Sequence, residues 1–154
     1  STVRSFMAQA KLKELNLVLV SKPHEQERLW GDAMKINQIL ANLLSNAIKF
    51  TEKGGVTVEV TQEAVSRDHC RINITISDTG IGISHDHLKQ LTQPFFQGDL
   101  SVNKRFQGTG LGLSIVQSLV DMMDGTLEIT STEGQGTQSS ITLILPKEQA
   151  AHAL

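Results

Sequence analysis

An α+β domain, with helices over one face of a mixed, mostly antiparallel sheet of about five strands, is the fold class that the 154-residue sequence predicts. Two long segments carry apolar residues at a helical period. Shorter segments are β-rich with apolar–polar alternation, and "EKGG" and "EGQG" supply turns between them. "STVRSFMAQAKLKEL" reads as a short amphipathic helix, and residues 1–14 are set apart as the end of an upstream helix or a linker. Residues 15–148 form the domain and 149–154 a polar tail. "LNLVLV" (15–20) is β-rich and predicts a strand. In "GDAMKINQILANLLSNAIKF", Asp32 is the candidate N-cap, and Ile36, Ile39, Leu40, Leu43, Leu44, Ala47 and Ile48 keep a helical period. "VTVEVTQEAV" and "CRINITISD" then read as adjacent antiparallel strands, and "SHDHLKQL" as a short helix. Residues 95–110 are expected to be a polar, glycine-bearing loop. A second long helix follows over 111–123, with Gly125 as its left-handed C-terminal cap. "TLEITST" and "TQSSITLILP" close the chain as two strands.

Composition narrows the function classes. A net charge of −2 argues against an electrostatic nucleic-acid binder, which needs a basic excess. No apolar run approaches the roughly 18–20 residues that cross a bilayer. One cysteine, Cys70, excludes an internal disulfide framework and suits a reducing compartment.

Four stretches carry polar groups that a plain core does not need. Asn42, Asn46 and Lys49 lie at i, i+4 and i+7, within about 60° of one another on the helix surface. Lys35 and Gln38 extend the stripe and Phe50 stands at its margin. A polar stripe is commonly a solvated face. However, two interior Asn residues cost about 0.5 kcal/mol each relative to Ala. Between Ala33 and Phe50 there is also no Asp or Glu to form the usual ion pairs. Amide oxygens beside lysine suit an anionic ligand with a hard cation. "ITISDTGIG" ends a strand on Asp78, followed by Gly80 and Gly82. The acid either caps a strand-end turn or forms the floor of a pocket, accepting from an exocyclic amine. "QPFFQGD" places Phe95 and Phe96 in polar surroundings, where at least one suits the core. "LSVNKRFQGTGLGL" then carries Lys104 and Arg105, either solvated charges or phosphate contacts, ahead of Gly108, Gly110 and Gly112. The Gly-x-Gly-x-Gly spacing after a polar loop excludes both the dinucleotide fingerprint and the P-loop. "EGQGT" (133–137) reads as a hairpin turn.

In this order the pieces resemble the catalytic ATP-binding domain of sensor histidine kinases, in the superfamily shared with DNA gyrase, HSP90 and MutL. "QILANLLSNAIKFT" resembles the family's N box, "DTGIG" its G1 box, "PFFQ" its F box, "GTGLGL" its G2 box and "GQGT" its G3 box. "NLLSNAIKFT" and "QGTGLGLSIV" look most like the hybrid kinases, whose cores are followed by receiver domains. The resemblance implies a two-layer α/β sandwich of the Bergerat type, binding ATP and Mg²⁺. By position, Asn46 would ligate Mg²⁺, with Asn42 on the phosphate side and Lys49 on phosphate. Phe50 would pack on the adenine, with Phe95 also at the nucleotide. Asp78 would bind the adenine amine, Gly80 and Gly82 would shape the base pocket, and Thr137 would join its polar floor. Gly108, Thr109, Gly110, Leu111 and Gly112 would form the lid over the triphosphate, with Lys104 or Arg105 steadying it.

The sequence departs from that pattern in three places. Gln107 stands where many relatives have glycine, "LTQPFFQ" lacks the acid that often precedes the proline, and Gln138, Ser139 and Ser140 stand where an aromatic is usual. None of the five histidines, His24, His69, His85, His87 and His152, lies in the His-acid-x-x-x-Pro context of the family's phosphoacceptor. The resemblance therefore implies a kinase domain acting on a histidine of a separate dimerisation domain, with a receiver or response regulator downstream. It implies a cytoplasmic location and no contact of this domain with membrane or nucleic acid. The alternative is a regulatory module that binds nucleotide or a partner without transfer.

Overall fold

The computed structural model describes residues 2–21, 29–92 and 109–148. In chain order the elements are α1 (Thr2–Leu12), β1 (Asn16–Ser21), α2 (Ala33–Lys49), β2 (Gly55–Ala64) and β3 (His69–Asp78). They continue with α3 (His85–Thr92), α4 (Thr109–Met122), β4 (Thr126–Thr132) and β5 (Gly136–Pro146). Residues 95–108, which include the predicted glycine-bearing loop with Phe95, Lys104, Arg105, Gln107 and Gly108, lie outside the described residues.

The five strands form one sheet in the order β1-β2-β3-β5-β4. Only β1 and β2 run parallel, with α2 between them in sequence; the other three pairings are antiparallel. Strand alternation sorts the two faces. Val56, Val58, Ile74, Ile76, Ile141 and Leu143 point into one core with Leu43 and Leu44 of α2 and Val116 and Val120 of α4. The opposite face is mostly polar, with Val18, Val20 and Ile144 exposed on it, and pairs across strands: Thr142 Oγ1 donates to Asn73 Oδ1 at 2.7 Å, and the Thr75 and Ser140 hydroxyls meet at 3.2 Å. An antiparallel sheet tolerates one wet face in this way, so a two-layer arrangement suffices.

Asp32 caps α2 as the sequence predicts. Its Oδ1 accepts from Lys35 N at 3.1 Å and its Oδ2 pairs with Lys35 Nζ at 2.6 Å. The buried residues of α2 are Ile39, Leu43, Leu44, Ala47 and Ile48, all on the predicted apolar stripe. The segment set apart at 1–14 contributes Val3 and Ala10 of α1 to the same core.

Two expectations for α4 are corrected. The helix begins at Thr109, two residues before the expected start, so Gly110 is helical rather than part of the loop, and Gly112 is helical as expected. At the other end the left-handed residue is Asp124 (φ 55°), one position before the glycine. Gly125 N donates to Val120 O at 2.9 Å and Asp124 N to Asp121 O at 3.1 Å, a Schellman closure with Asp at the left-handed position. Gly125 serves close packing instead: a Cβ there would stand 2.5 Å from Leu143 Cδ2 and 2.6 Å from Thr142 O.

We expect Gly125→Ala to destabilise the fold by about 1–3 kcal/mol through overpacking, read as a lowered urea midpoint with an unchanged slope. Asp124→Gly, which relaxes the left-handed position, should leave the midpoint unchanged or raise it.

Candidate functional site

Three chain segments converge at one end of the sheet. Asp78 ends β3, and the register of β3 against β5 sets Ser77 opposite Gln138, which brings Asp78 beside Thr137. Asp78 Oδ1 accepts from Gly80 N at 2.9 Å and from Thr137 N at 3.2 Å. Both bonds land on one oxygen, which leaves Oδ2 without a hydrogen-bond partner among the described residues.

The glycines here are set by backbone meeting backbone. Gly136 (φ 133°) has its missing Cβ aimed at the carbonyl of Asp78, and Gly82 (φ 71°) faces the carbonyl of Thr132. Both conformations strain any L side chain, and both approaches leave no room for one. At Gly80 a Cβ would run into Phe50 O and stand 2.9 Å from both Asp78 Oδ1 and Thr51 Oγ1. Ile81 N donates to Phe50 O at 3.1 Å, so the end of α2 is stapled to the loop after β3.

Ser131, on β4, completes the corner. Its Oγ accepts from Ile83 N at 2.7 Å, donates to Gly136 O at 3.0 Å and meets Thr137 Oγ1 at 2.8 Å. Nothing in the sequence pattern separates Ser131 from its neighbours in "TLEITST", because the role arises only when β4 and the 79–84 loop meet.

These segments line a cleft that opens to solvent. Asn46, Phe50, Asp78, Gly82 and Thr137 line it, with apolar walls from Ile76, Ile81, Ile83, Leu113 and Ile129. Ser139 lines it as well, nearly buried, so the missing aromatic after Thr137 leaves the cleft wall intact.

The remaining predicted residues fall around this cleft. Asn42 lies one turn before Asn46, half-buried and not part of the lining. Lys49 is exposed, with Nζ 5.4 Å from the Phe50 ring centroid. Gly80 stands outside the lining. Thr109, Gly110, Leu111 and Gly112 start α4, two residues or fewer before the lining residue Leu113 in the case of Leu111 and Gly112.

The asparagine stripe is not a solvated face. The Nδ2 atoms of Asn42 and Asn46 are buried and have no hydrogen-bond partner among the described residues. Thr51 Oγ1 is likewise buried without a partner among the described residues, each such group costs about 1–3 kcal/mol, and only Asn46 of the three lines the cleft, where an occupant could meet it. Which amide atom faces the cleft is a matter of assignment, since O and N are interchangeable by a flip. Among the described residues no three of His, Cys, Asp and Glu gather to hold a metal.

Burial raises the Asp78 pKa, and the N–H groups of Gly80 and Thr137 oppose that rise. A carboxyl whose pKa is raised on folding adds stability below its unfolded pKa and loses it as pH rises through the folded one.

The chain matches the family of histidine kinase-, DNA gyrase B- and HSP90-like ATPases over residues 31–149. It is 40% identical over 138 residues to the sensor protein GacS of Pseudomonas syringae pv. syringae, covering 90% of this chain and 15% of that protein. It is 40% identical over 133 residues to the sensor histidine kinase RcsC of Escherichia coli K12, covering 86% of this chain and 14% of that one. The chain thus spans about a seventh of the length of these relatives. Among solved structures, full-length ShkA in complex with AMPPNP superposes with a TM-score of 0.75 at 27% identity, over 97% of this chain and 29% of that one. The catalytic domain of the histidine kinase ThkA shares the fold, with a TM-score of 0.67 at 24% identity over 95% of this chain and 90% of that one. Among the described residues no helix is long and apolar enough to cross a membrane.

Two outcomes are expected of the corner. Ser131→Ala orphans Ile83 N and should cost about 1–3 kcal/mol in denaturant unfolding. Asp78→Asn removes the buried charge, so its stability relative to wild type should improve as pH rises above about 4 and level off once pH passes the raised folded pKa of Asp78. Urea melts at several pH values check both.

Proposed function

We infer that the chain, a member of the family of histidine kinase-, DNA gyrase B- and HSP90-like ATPases, is the ATP-binding catalytic domain of a sensor histidine kinase. From that premise we propose that the cleft binds Mg-ATP and presents its γ-phosphoryl group to a histidine on a separate dimerisation domain. The observation that carries the reading is Asp78, whose Oδ1 is held by two backbone N–H groups while Oδ2 stays free to accept from the adenine amine. A base that offers a carbonyl at that place instead of an amine meets an acceptor with an acceptor, which is the source of adenine selectivity. Phe50 lies against the base between the apolar walls. Thr137, whose hydroxyl is tied to Ser131, keeps lone pairs for the polar edge of the ring.

Asn46 and Asn42 face the phosphates. A hard divalent cation that takes most of its oxygens from water and phosphate needs few from protein, and the side-chain amide of Asn46, in the cleft lining, carries one such oxygen. Mg²⁺ supplies charge neutralisation of the triphosphate when bound. Lys49 reaches the phosphates from the rim. Gly110 and Gly112 keep the first turn of α4 free of side chains where its N–H groups meet anionic oxygens. Phe95, Lys104, Arg105 and Gly108 have proposed lid roles and lie outside the described residues.

Transfer itself forms an N–P bond to the acceptor imidazole as the bridging Pγ–O bond breaks and ADP leaves. The loose transition state asks for positioning and charge neutralisation more than covalent help. Between Ala33 and Phe50 no acid is present to activate water, so hydrolysis is slow relative to transfer. The partners are the histidine-bearing dimerisation domain of a longer parent and a receiver domain, in a cytoplasmic setting.

In Asp78→Asn the two backbone N–H groups hold the amide oxygen at the Oδ1 position and turn the NH₂ toward the adenine amine. Calorimetric titration with AMPPNP and Mg²⁺ should show a loss of affinity of about 100-fold. Wild-type affinity should also fall on acidification as Asp78 takes up a proton. Asn46→Ala should weaken binding with Mg²⁺ present and match wild type once the metal is chelated. Absence of saturable binding by wild type would remove the reading. Binding without transfer to an added histidine-bearing dimerisation domain would favour a regulatory module instead.

A further inference from the structure

The C-terminal turn of α2 carries three of the cleft's lining residues, Asn46, Ala47 and Phe50, and is anchored from outside the helix. The last carbonyls of a helix lack intrahelical donors. Here Phe50 N takes the carbonyl of Asn46 at 3.0 Å. Those of Ile48 and Lys49 are taken by one side chain from another element: Lys13 Nζ donates to Ile48 O at 2.6 Å and to Lys49 O at 3.2 Å. The ammonium also sits at the negative end of the helix dipole, where a cation is favoured.

Lys13 is itself held in place. It lies in the turn after α1, where Glu14 takes a left-handed conformation (φ 59°) and Leu15 N closes on Ala10 O at 2.9 Å. Ala10 and Leu15 are buried in the core, so the turn cannot shift without moving α1. Directly after it, Asn16 N donates to Gly54 O at 3.1 Å, tying the same turn to the α2–β2 connection.

We propose that Lys13 is a positioning residue for the nucleotide pocket. It fixes the last turn of α2, and through it the places of Asn46 and Phe50, so a displacement of α1 against α2 alters nucleotide affinity. The inference rests on the nucleotide reading for its affinity arm only. Lys13 acts through the α2 carbonyls of Ile48 and Lys49, neither of which lines the cleft.

The test compares Lys13→Met, which keeps the stem and removes the donors, with Lys13→Arg, which restores two donors, and with Asp32→Ala at the opposite end of the same helix. AMPPNP titration should show Lys13→Met weakened about tenfold and Lys13→Arg within about twofold of wild type. Asp32→Ala should lower the melting temperature with affinity within about twofold. Without nucleotide, amide exchange at Phe50 and Ile81 should quicken in Lys13→Met, while Ile74 and Ile141 in the sheet stay as in wild type. Wild-type affinity in Lys13→Met, failure of Lys13→Arg to rescue, or an equal affinity loss in Asp32→Ala overturns the proposal. If wild type binds no nucleotide, the functional reading fails, and the exchange measurement still decides the clamp: unchanged rates at Phe50 and Ile81 overturn it.

Discussion

The corner of the fold is organised by a single carboxylate oxygen. Oδ1 of Asp78 receives the N–H of Gly80, two residues on, and of Thr137, at the start of another strand. That shared acceptor brings together the end of β3, the loop after it and the entry of β5. The tightness of the junction then dictates its sequence. Gly80 abuts the end of α2, Gly82 the end of β4 and Gly136 the carbonyl of Asp78. Burial makes the charge expensive, two N–H donors offset part of that cost, and the raised pKa records the remainder.

A similar balance governs α2. Its apolar stripe buries Ile39, Leu43, Leu44, Ala47 and Ile48 in the core, which secures the helix. Asn42 and Asn46 then have their amides buried without partners, at a local cost to stability. Local rules are broken most often where a protein binds something. The Asn46 amide and the Asp78 carboxylate are left with capacity on two residues that line one apolar-walled cleft, with Asn42 one turn away.

The helix that carries this capacity is fastened at both ends by charge. Asp32 accepts from a free N–H of the first turn, and Lys13 donates to the free carbonyls of the last. The first is local in sequence and the second joins residues 35 and 36 apart. Position of the cleft thus depends on α1 as well as on the sheet, and the one-sided core of α1, α2, α4 and the strands leaves the polar outer face to cross-strand hydroxyl pairs.

The periodicity of residues 33–50, the alternation in "VTVEVTQEAV" and "CRINITISD", and the Asp32 cap were legible in the chain because each depends on residues within a few positions of one another. So were Asn46, Phe50, Asp78, Gly82 and Thr137 as members of one site, through ordered motifs whose residue types answer to one ligand chemistry. What stayed hidden depends on contacts far apart in sequence. Ser131 binds Ile83 across 48 positions, and Lys13 binds Ile48 across 35, with no local pattern to mark either. The left-handed end of α4 went to Asp124 because Gly125 is needed where Leu143 and Thr142 press on its backbone. Local periodicity specifies elements and their buried faces, while the meeting of separate elements assigns polar partners, because hydrogen bonds and close approaches depend on distances that only the folded chain sets.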